Sequence, residues 1–204
     1  MMSEKQKNKI EKKKKLNLGC GLDIKESTDK IEWVNQDILS GKGIDIVHNL
    51  NKFPYPFKDN EFDEVYTSHV LEHVADLIKT LSELKRICKD KAKILIRVPH
   101  FSCGVSYRDP THKRLFSYFT FDYFTDDCFY GLPKFKILHR KLNFTRLAFT
   151  KLNYLFNPII NITPAIYERF FCWILPTAEV LCTLQVEKSE KPEQSKIKNR
   201  GIKK

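Results

Sequence analysis

Leu16-Asn17-Leu18-Gly19-Cys20-Gly21 is a short apolar strand that runs straight into a glycine pair. Glycines there let backbone come close to a ligand at the carboxyl end of a first strand. Working outward, Glu32–Asp37 reads as a second strand that ends in an acid, and Ile44–His48 as a third closed by Asn49. Residues 53–60 form a loop marked by Pro54, Pro56 and Asp59-Asn60, and Phe62–Ser68 is a fourth strand. Across 74–89, Leu77, Leu81, Leu84 and Ile87 recur at helical spacing before Asp90-Lys91 breaks the pattern. Lys93–Val98 is a fifth strand, stopped by Pro99; Phe135–Phe144 and Leu181–Val186 read as later strands. Apolar strands alternating with helices or linkers predict βαβ units and a mostly parallel sheet covered on both faces. The crossover around Gly41-Lys42-Gly43 is too short for a full helix.

The chain has 204 residues and a net charge of +11, which fits one domain with a basic bias. The charge sits at the ends. Residues 1–15 hold seven lysines against Glu4 and Glu11, and residues 188–204 hold seven Lys/Arg against Glu190 and Glu193. The segment 16–187 is therefore nearly neutral, which argues against a nucleic-acid-binding core. The ends read as disordered, solvated tails able to touch anionic RNA or membrane only weakly and without specificity. The organisation expected is a tail over 1–15, a domain over 16–187 and a tail over 188–204. Six scattered cysteines without a CxxC pair predict reduced thiols and a cytoplasmic protein, neither a zinc site nor a disulfide framework. The N-terminus lacks an apolar segment behind its charge, so no secretory signal is expected. The most apolar stretch, 170–186, is interrupted by Pro176 and Glu179, short of a membrane span.

The glycine turn lacks the third glycine of GxGxxG, since Leu22-Asp23-Ile24 follow. That shifts the reading from a dinucleotide toward a nucleoside ligand without phosphates. Asp37, sixteen residues beyond Gly21, stands where an acid can accept both ribose hydroxyls.

An ordered set of segments then resembles one family: 16–21, Asn60–Tyr66, His69-Val70-Leu71-Glu72-His73-Val74, Arg86-Ile87 and the strand ending Val98-Pro99. Together they look like the type 11 class I methyltransferases, over about residues 16–100. The resemblance implies a Rossmann-like three-layer α/β sandwich with a seven-stranded mixed sheet, mostly parallel with an antiparallel last strand. It implies S-adenosylmethionine as cofactor and methyl transfer to an acceptor the sequence does not name. By the same resemblance, Gly19, Cys20 and Gly21 hold the methionine end, Asp37 the ribose, and Asn49 and Leu50 border the adenine. Ser68 and His69 line the methyl-donor cavity. The chain departs from the family pattern at Asn17 and Asn49, where acids are common, and at Lys89–Lys93, where a Lys-Pro-Gly-Gly turn is usual.

On the acceptor side, residues 99–124 are dense in His, Asp, Tyr, Arg and aromatics, a good binding wall that follows the fifth strand. A small-molecule or glycan-type hydroxyl is the acceptor expected. His100 and His112 are the candidate proton acceptors, with Asp109 to orient one of them. His69 and His73 flank Glu72, but the order differs from the HExxH metal motif, and no metal is expected. Residues 100–178 are read as a substrate-side loop and helical insertion. Within it, 145–178 predicts aromatics packed on the sheet, the alternative being a surface for an apolar substrate or membrane. Two other function classes stand beside the enzyme: an NAD-dependent oxidoreductase, and a non-catalytic RNA or membrane binder. No stable protein partner is inferred.

Overall fold

The structure is a computed structural model in which residues 12–125 and 130–188 are described. Seven strands form one sheet in the order β3-β2-β1-β4-β5-β7-β6. They are β1 (Lys13–Leu18), β2 (Ile31–Asp37), β3 (Ile46–Val47), β4 (Phe62–Ser68), β5 (Cys88–Pro99), β6 (Phe135–Asn143) and β7 (Glu179–Val186). The first five pair parallel, and β7 runs antiparallel to both β5 and β6. This is the mixed sheet with an antiparallel last strand that the family resemblance implies.

β1 starts at Lys13, so the final lysines of the stretch 1–15 belong to the sheet. Lys14 Nζ lies 2.7 Å from Glu61 and Lys15 Nζ 2.7 Å from Glu64. The rest of both basic stretches, 1–11 and 189–204, and Cys128 lie outside the described residues. The third strand shrinks to two residues. The break expected at Asp90-Lys91 falls inside β5: Cys88 already pairs with Phe62, and the register shifts before Glu64 pairs with Lys93. Lys91 takes a left-handed φ of 61° at this irregularity. Helix α1 (Leu77–Ile87) is shorter than the periodic stretch, because Asp76 caps it by accepting the Lys79 N–H.

Strand alternation shows an uneven cover. Val65, Thr67, Ile94, Ile96, Val98, Val180, Cys182 and Leu184 are buried on one face. Glu64, Tyr66, Leu95, Arg97, Leu181 and Thr183, between them, are only half-buried. Linkers rather than helices make several of the crossovers, as the short stretch around Gly41-Lys42-Gly43 anticipates. The connections 19–30, 38–45 and 48–61 hold no helix. The second face receives a thin cover from loop side chains, such as Lys25 Nζ 5.0 Å from the Tyr66 ring centre. The buried face carries α1 and the 3-10 turn Thr120–Phe124, whose Leu81, Leu84, Ile87, Phe121 and Phe124 join one core with Leu16 and Leu18.

The insertion holds α3 (Leu152–Ile162), the short α4 (Pro164–Ile166) and a π-helical turn over Tyr167–Phe171; α2 (Val105–Arg108) precedes them. α3 covers the outer edge of β6 with three asparagines at i, i+4 and i+8. The Leu142 N–H donates to Asn161 Oδ1 (2.8 Å), Phe144 N–H to Asn157 Oδ1 (2.8 Å) and Thr145 N–H to Asn153 Oδ1 (2.9 Å). Asn161 and Asn153 donate back to the Leu142 and Thr145 carbonyls. Side-chain amides thus replace a neighbouring strand. The expectation that the aromatics of 145–178 pack on the sheet is overturned: Ile160, Tyr167 and Cys172 are buried, but Leu147, Tyr154, Ile162, Phe170, Trp173 and Ile174 are exposed.

Candidate active site

The residues expected at the cofactor all gather at the carboxyl ends of β1 to β4. Gly19 and Gly21 both take left-handed φ, 64° and 50°. Cys20, between them, is buried, and its N–H donates to the Gln36 carbonyl (2.9 Å). The Gly21 N–H donates to Asp37 Oδ2 at 2.8 Å, and the Leu39 N–H to Asp37 Oδ1 at 3.1 Å. Each Asp37 oxygen thus accepts one backbone N–H and keeps lone pairs for a further donor. Leu22, Ile38 and Leu39 stand exposed around it, apolar surface that a flat heterocycle would cover. Asn49 and Leu50 follow β3, where the Asn49 side chain accepts the Asn51 N–H and the Leu50 carbonyl the Tyr55 hydroxyl. Asn17 is buried and tied to the Asp23 carbonyl and Asn35, so it braces the glycine loop from beneath.

Ser68 ends β4, and His69 turns the chain with a φ of 58°. His69 lies between two carboxylates absent from the expected set. Its Nε2 is 3.2 Å from Glu179 and its Nδ1 3.3 Å from Glu72, and both glutamates are fully buried. Burial pushes the His69 pKa down, but the hydrogen bond to Glu179 and the nearby charge of Glu72 outweigh it, so the net shift is upward. Glu179 also takes Arg97 at 2.5 Å and the Asn143 amide at 2.7 Å.

The two expected proton acceptors occupy different networks. His100 is fully buried, with Nδ1 2.8 Å from Ser102 Oγ and Nε2 3.0 Å from Glu168. Both nitrogens are engaged, so it fastens the loop after β5 to the π-helical turn. Glu168 collects further bonds from the Ser117 hydroxyl and the Tyr118 N–H. His112 and Asp109 do come together, 3.8 Å apart. Asp109 mainly serves its own turn, accepting the Thr111 N–H and hydroxyl.

The segments His69–Val74 and Asp109–Arg114 dock on each other. The Lys113 N–H donates to the Glu72 carbonyl (2.7 Å), Arg114 to the Val74 and Ala75 carbonyls, and Thr111 Oγ1 meets His73 Nδ1 at 2.8 Å. The rings of His73 and His112 pack edge to face, 4.7 Å between centres. Glu168 and Glu179 were not visible as functional from sequence. Their only signal is a lone acid set in an apolar aromatic run.

The Methyltransferase domain family matches residues 16–96. An uncharacterized protein of Methanocaldococcus jannaschii is 51% identical over 43 residues, 21% of this chain and 19% of that protein. The match thus spans about a fifth of that relative's length. Among solved structures, a SAM-dependent methyltransferase from Archaeoglobus fulgidus aligns with a TM-score of 0.58 at 17% identity, covering 87% of each chain. An S-adenosylmethionine-dependent methyltransferase from Mesorhizobium loti gives 0.50 at 12% identity, over 87% of this chain and 92% of that one. A chain from the complex between the Haloferax volcanii Trm112 methyltransferase activator and a methyltransferase gives 0.51 at 16%, over 87% and 84%. Residues 16–96 thus match a methyltransferase domain, and the chain as a whole shares the fold of these S-adenosylmethionine-dependent methyltransferases.

Proposed function

We propose that the chain transfers a methyl group to an acceptor hydroxyl on a small molecule or glycan, presented at the carboxyl edge of the sheet beside residues 100–118. The observation that carries this reading is Asp37, held beside the glycine turn with lone pairs free and apolar side chains around it. S-adenosylmethionine, when bound, supplies the methyl group on its sulfonium. Gly19, Cys20 and Gly21 would hold its methionine end, Asp37 its ribose, Asn49 and Leu50 its adenine, while Ser68 and His69 border the transfer point. These residues orient; much of the rate enhancement in such a transfer can come from position. The free thiols of Cys20, Cys88, Cys103, Cys172 and Cys182 support a cytoplasmic location.

Calorimetric titration with S-adenosylhomocysteine should show saturable binding, and NAD none. Asp37→Asn should weaken binding by roughly 10-fold, the worth of a charge-assisted hydrogen bond. No binding to the parent protein would reject the cofactor assignment and leave the non-catalytic binder as the reading.

A second observation favours a lipid surface near the acceptor site. The segment 144–178 holds Arg146, Lys151 and Arg169 and a single acid, Glu168, which is turned inward. Its outer face is therefore apolar and cationic. No helix among the described residues is long and apolar enough to cross a membrane. Trp173 packs on Phe101, 5.6 Å between rings, which joins this surface to the loop after β5. Such a face fits the headgroup region of an anionic bilayer. The full chain should co-sediment with phosphatidylserine-containing vesicles, and Phe170→Ser with Trp173→Ser should release it. Binding unaltered in that double variant but lost on deleting 1–11 and 189–204 would assign the contact to the basic ends alone.

A further inference from the structure

Three lone-pair donors converge where His69–Val74 and Asp109–Arg114 dock. One carboxylate oxygen of Glu72 and one ring nitrogen each of His73 and His112 lie within 4.8 Å of one another. The hydrogen bonds around the two imidazoles fix their tautomers. His112 Nδ1 faces the Ser106 carbonyl at 3.2 Å, a group that only accepts, so this nitrogen carries the proton. The Thr111 hydroxyl donates to Asp109 at 2.6 Å, so its oxygen accepts from His73 Nδ1 at 2.8 Å, which carries a proton too. As neutral imidazoles, both rings therefore keep Nε2 as the lone-pair nitrogen, that of His112 lying 3.8 Å from Asp109 Oδ2. This arrangement, in which Nδ1–H is held by an oxygen, is the one that prepares histidine to ligate a cation.

Glu72 supplies the independent observation. Its side chain is fully buried, and neither carboxylate oxygen accepts a hydrogen bond. Its Oε1 lies 3.3 Å from His69 Nδ1, outside hydrogen-bond alignment, on a ring whose Nε2 is bonded to Glu179. A buried carboxylate without a donor is costly. Beside two lone-pair imidazole nitrogens, it is completed by a positive centre.

We infer that Glu72, His73 and His112 bind a divalent transition-metal cation of the zinc class. Two imidazoles and one carboxylate suit such an ion, and three protein ligands leave a position open for an oxygen ligand. His112 also lines an open cavity of about 330 Å³ with Tyr107, Asp109 and Arg114. The inference departs from the expectation that no metal binds here, which considered His69 and His73 within one segment. The third ligand comes from 39 positions further along the chain than His73.

The full-length chain, stripped with chelator, is titrated with Co²⁺ and read by its visible d–d absorption, with Zn²⁺ as competitor. One saturable equivalent should bind, and Zn²⁺ should displace it and raise the melting temperature. His73→Ala and His112→Ala should each weaken Co²⁺ by at least about 100-fold, and Thr111→Val by about 10-fold through the freed Nδ1. The threonine variant keeps the test decisive if a histidine variant does not fold. Absence of saturable binding, or affinity unchanged across these variants, would overturn the assignment. S-adenosylhomocysteine calorimetry on the metal-free chain reads the cofactor site separately.

Discussion

Glu179→Ala is expected to destabilise the chain by about 3–5 kcal/mol, because it strands Arg97 and His69 beside a buried gap. Urea unfolding at pH 7 measures this directly. The carboxylate is fully buried and bound to Arg97, Asn143 and His69. Burial pushes its pKa up, yet the bonds from His69, Arg97 and Asn143 outweigh that and hold it at about 2. A folded-state pKa below the unfolded one means stability that is full above the unfolded carboxyl value, near 4.5, and lost as pH falls through about 2. The drop corresponds to about 3 kcal/mol. Acid unfolding of the parent should therefore steepen across that window, and the alanine variant should lack this component. A variant within about 1 kcal/mol of the parent would mean that the charges on Arg97 and His69 find water instead.

Gly19→Ala should cost the cofactor site about 2–4 kcal/mol, through backbone strain and a collision together. Gly19 has a φ of 64°, and an added Cβ would lie 2.5 Å from Val70 Cγ2 and 2.9 Å from its Cγ1. Valine has little χ1 freedom with which to yield. The clash would therefore push on the segment His69–His73, which also presents the buried glutamate. Calorimetry with S-adenosylhomocysteine should show at least a 30-fold loss, roughly the lower end of that range. Adding Val70→Ala should recover part of it by removing the obstacle. Gly21→Ala is the internal contrast. Nothing lies within 4 Å of its added Cβ, so only the left-handed φ of 50° is penalised, by about 1 kcal/mol. Equal losses at both glycines would argue that Val70 is not what demands the first one.

The sheet was legible because its signals are local. Leu16–Leu18 before the glycines, Phe62–Ser68 and the apolar run 181–186 each name a strand by composition, and Asp37 by its place at the end of one. The helix cover was legible in part: the prolines of 53–60 and the short crossover at Gly41-Lys42-Gly43 mark loops, but nothing local marks 19–30 as one. Apolar composition over 145–178 reads the same whether the side chains face the core or the solvent, so the insertion's exposed surface could not be told from a packed one. His100 looked available because it sits in a polar loop. Its partner Glu168 lies 68 positions away, and only folding closes that pair. Arg97 and Glu179, 82 positions apart, show the same limit. The spacing of Asn153, Asn157 and Asn161 did carry a signal, three amides on one helix face, but their partner is backbone and has no sequence signature.

Those three amides also decide what can be cut away. A helix rich in exposed apolar side chains invites excision to obtain a better-behaved protein. Removing α3 would uncover the Leu142 amide on the outer margin of β6 and the Phe144 and Thr145 amides just past its end. Unsatisfied amides on a sheet margin are a template for another copy's strand. A chain trimmed this way would exchange a sticky surface for a self-pairing one, so the greasy helix is better blunted residue by residue on its outer face, with the asparagines kept.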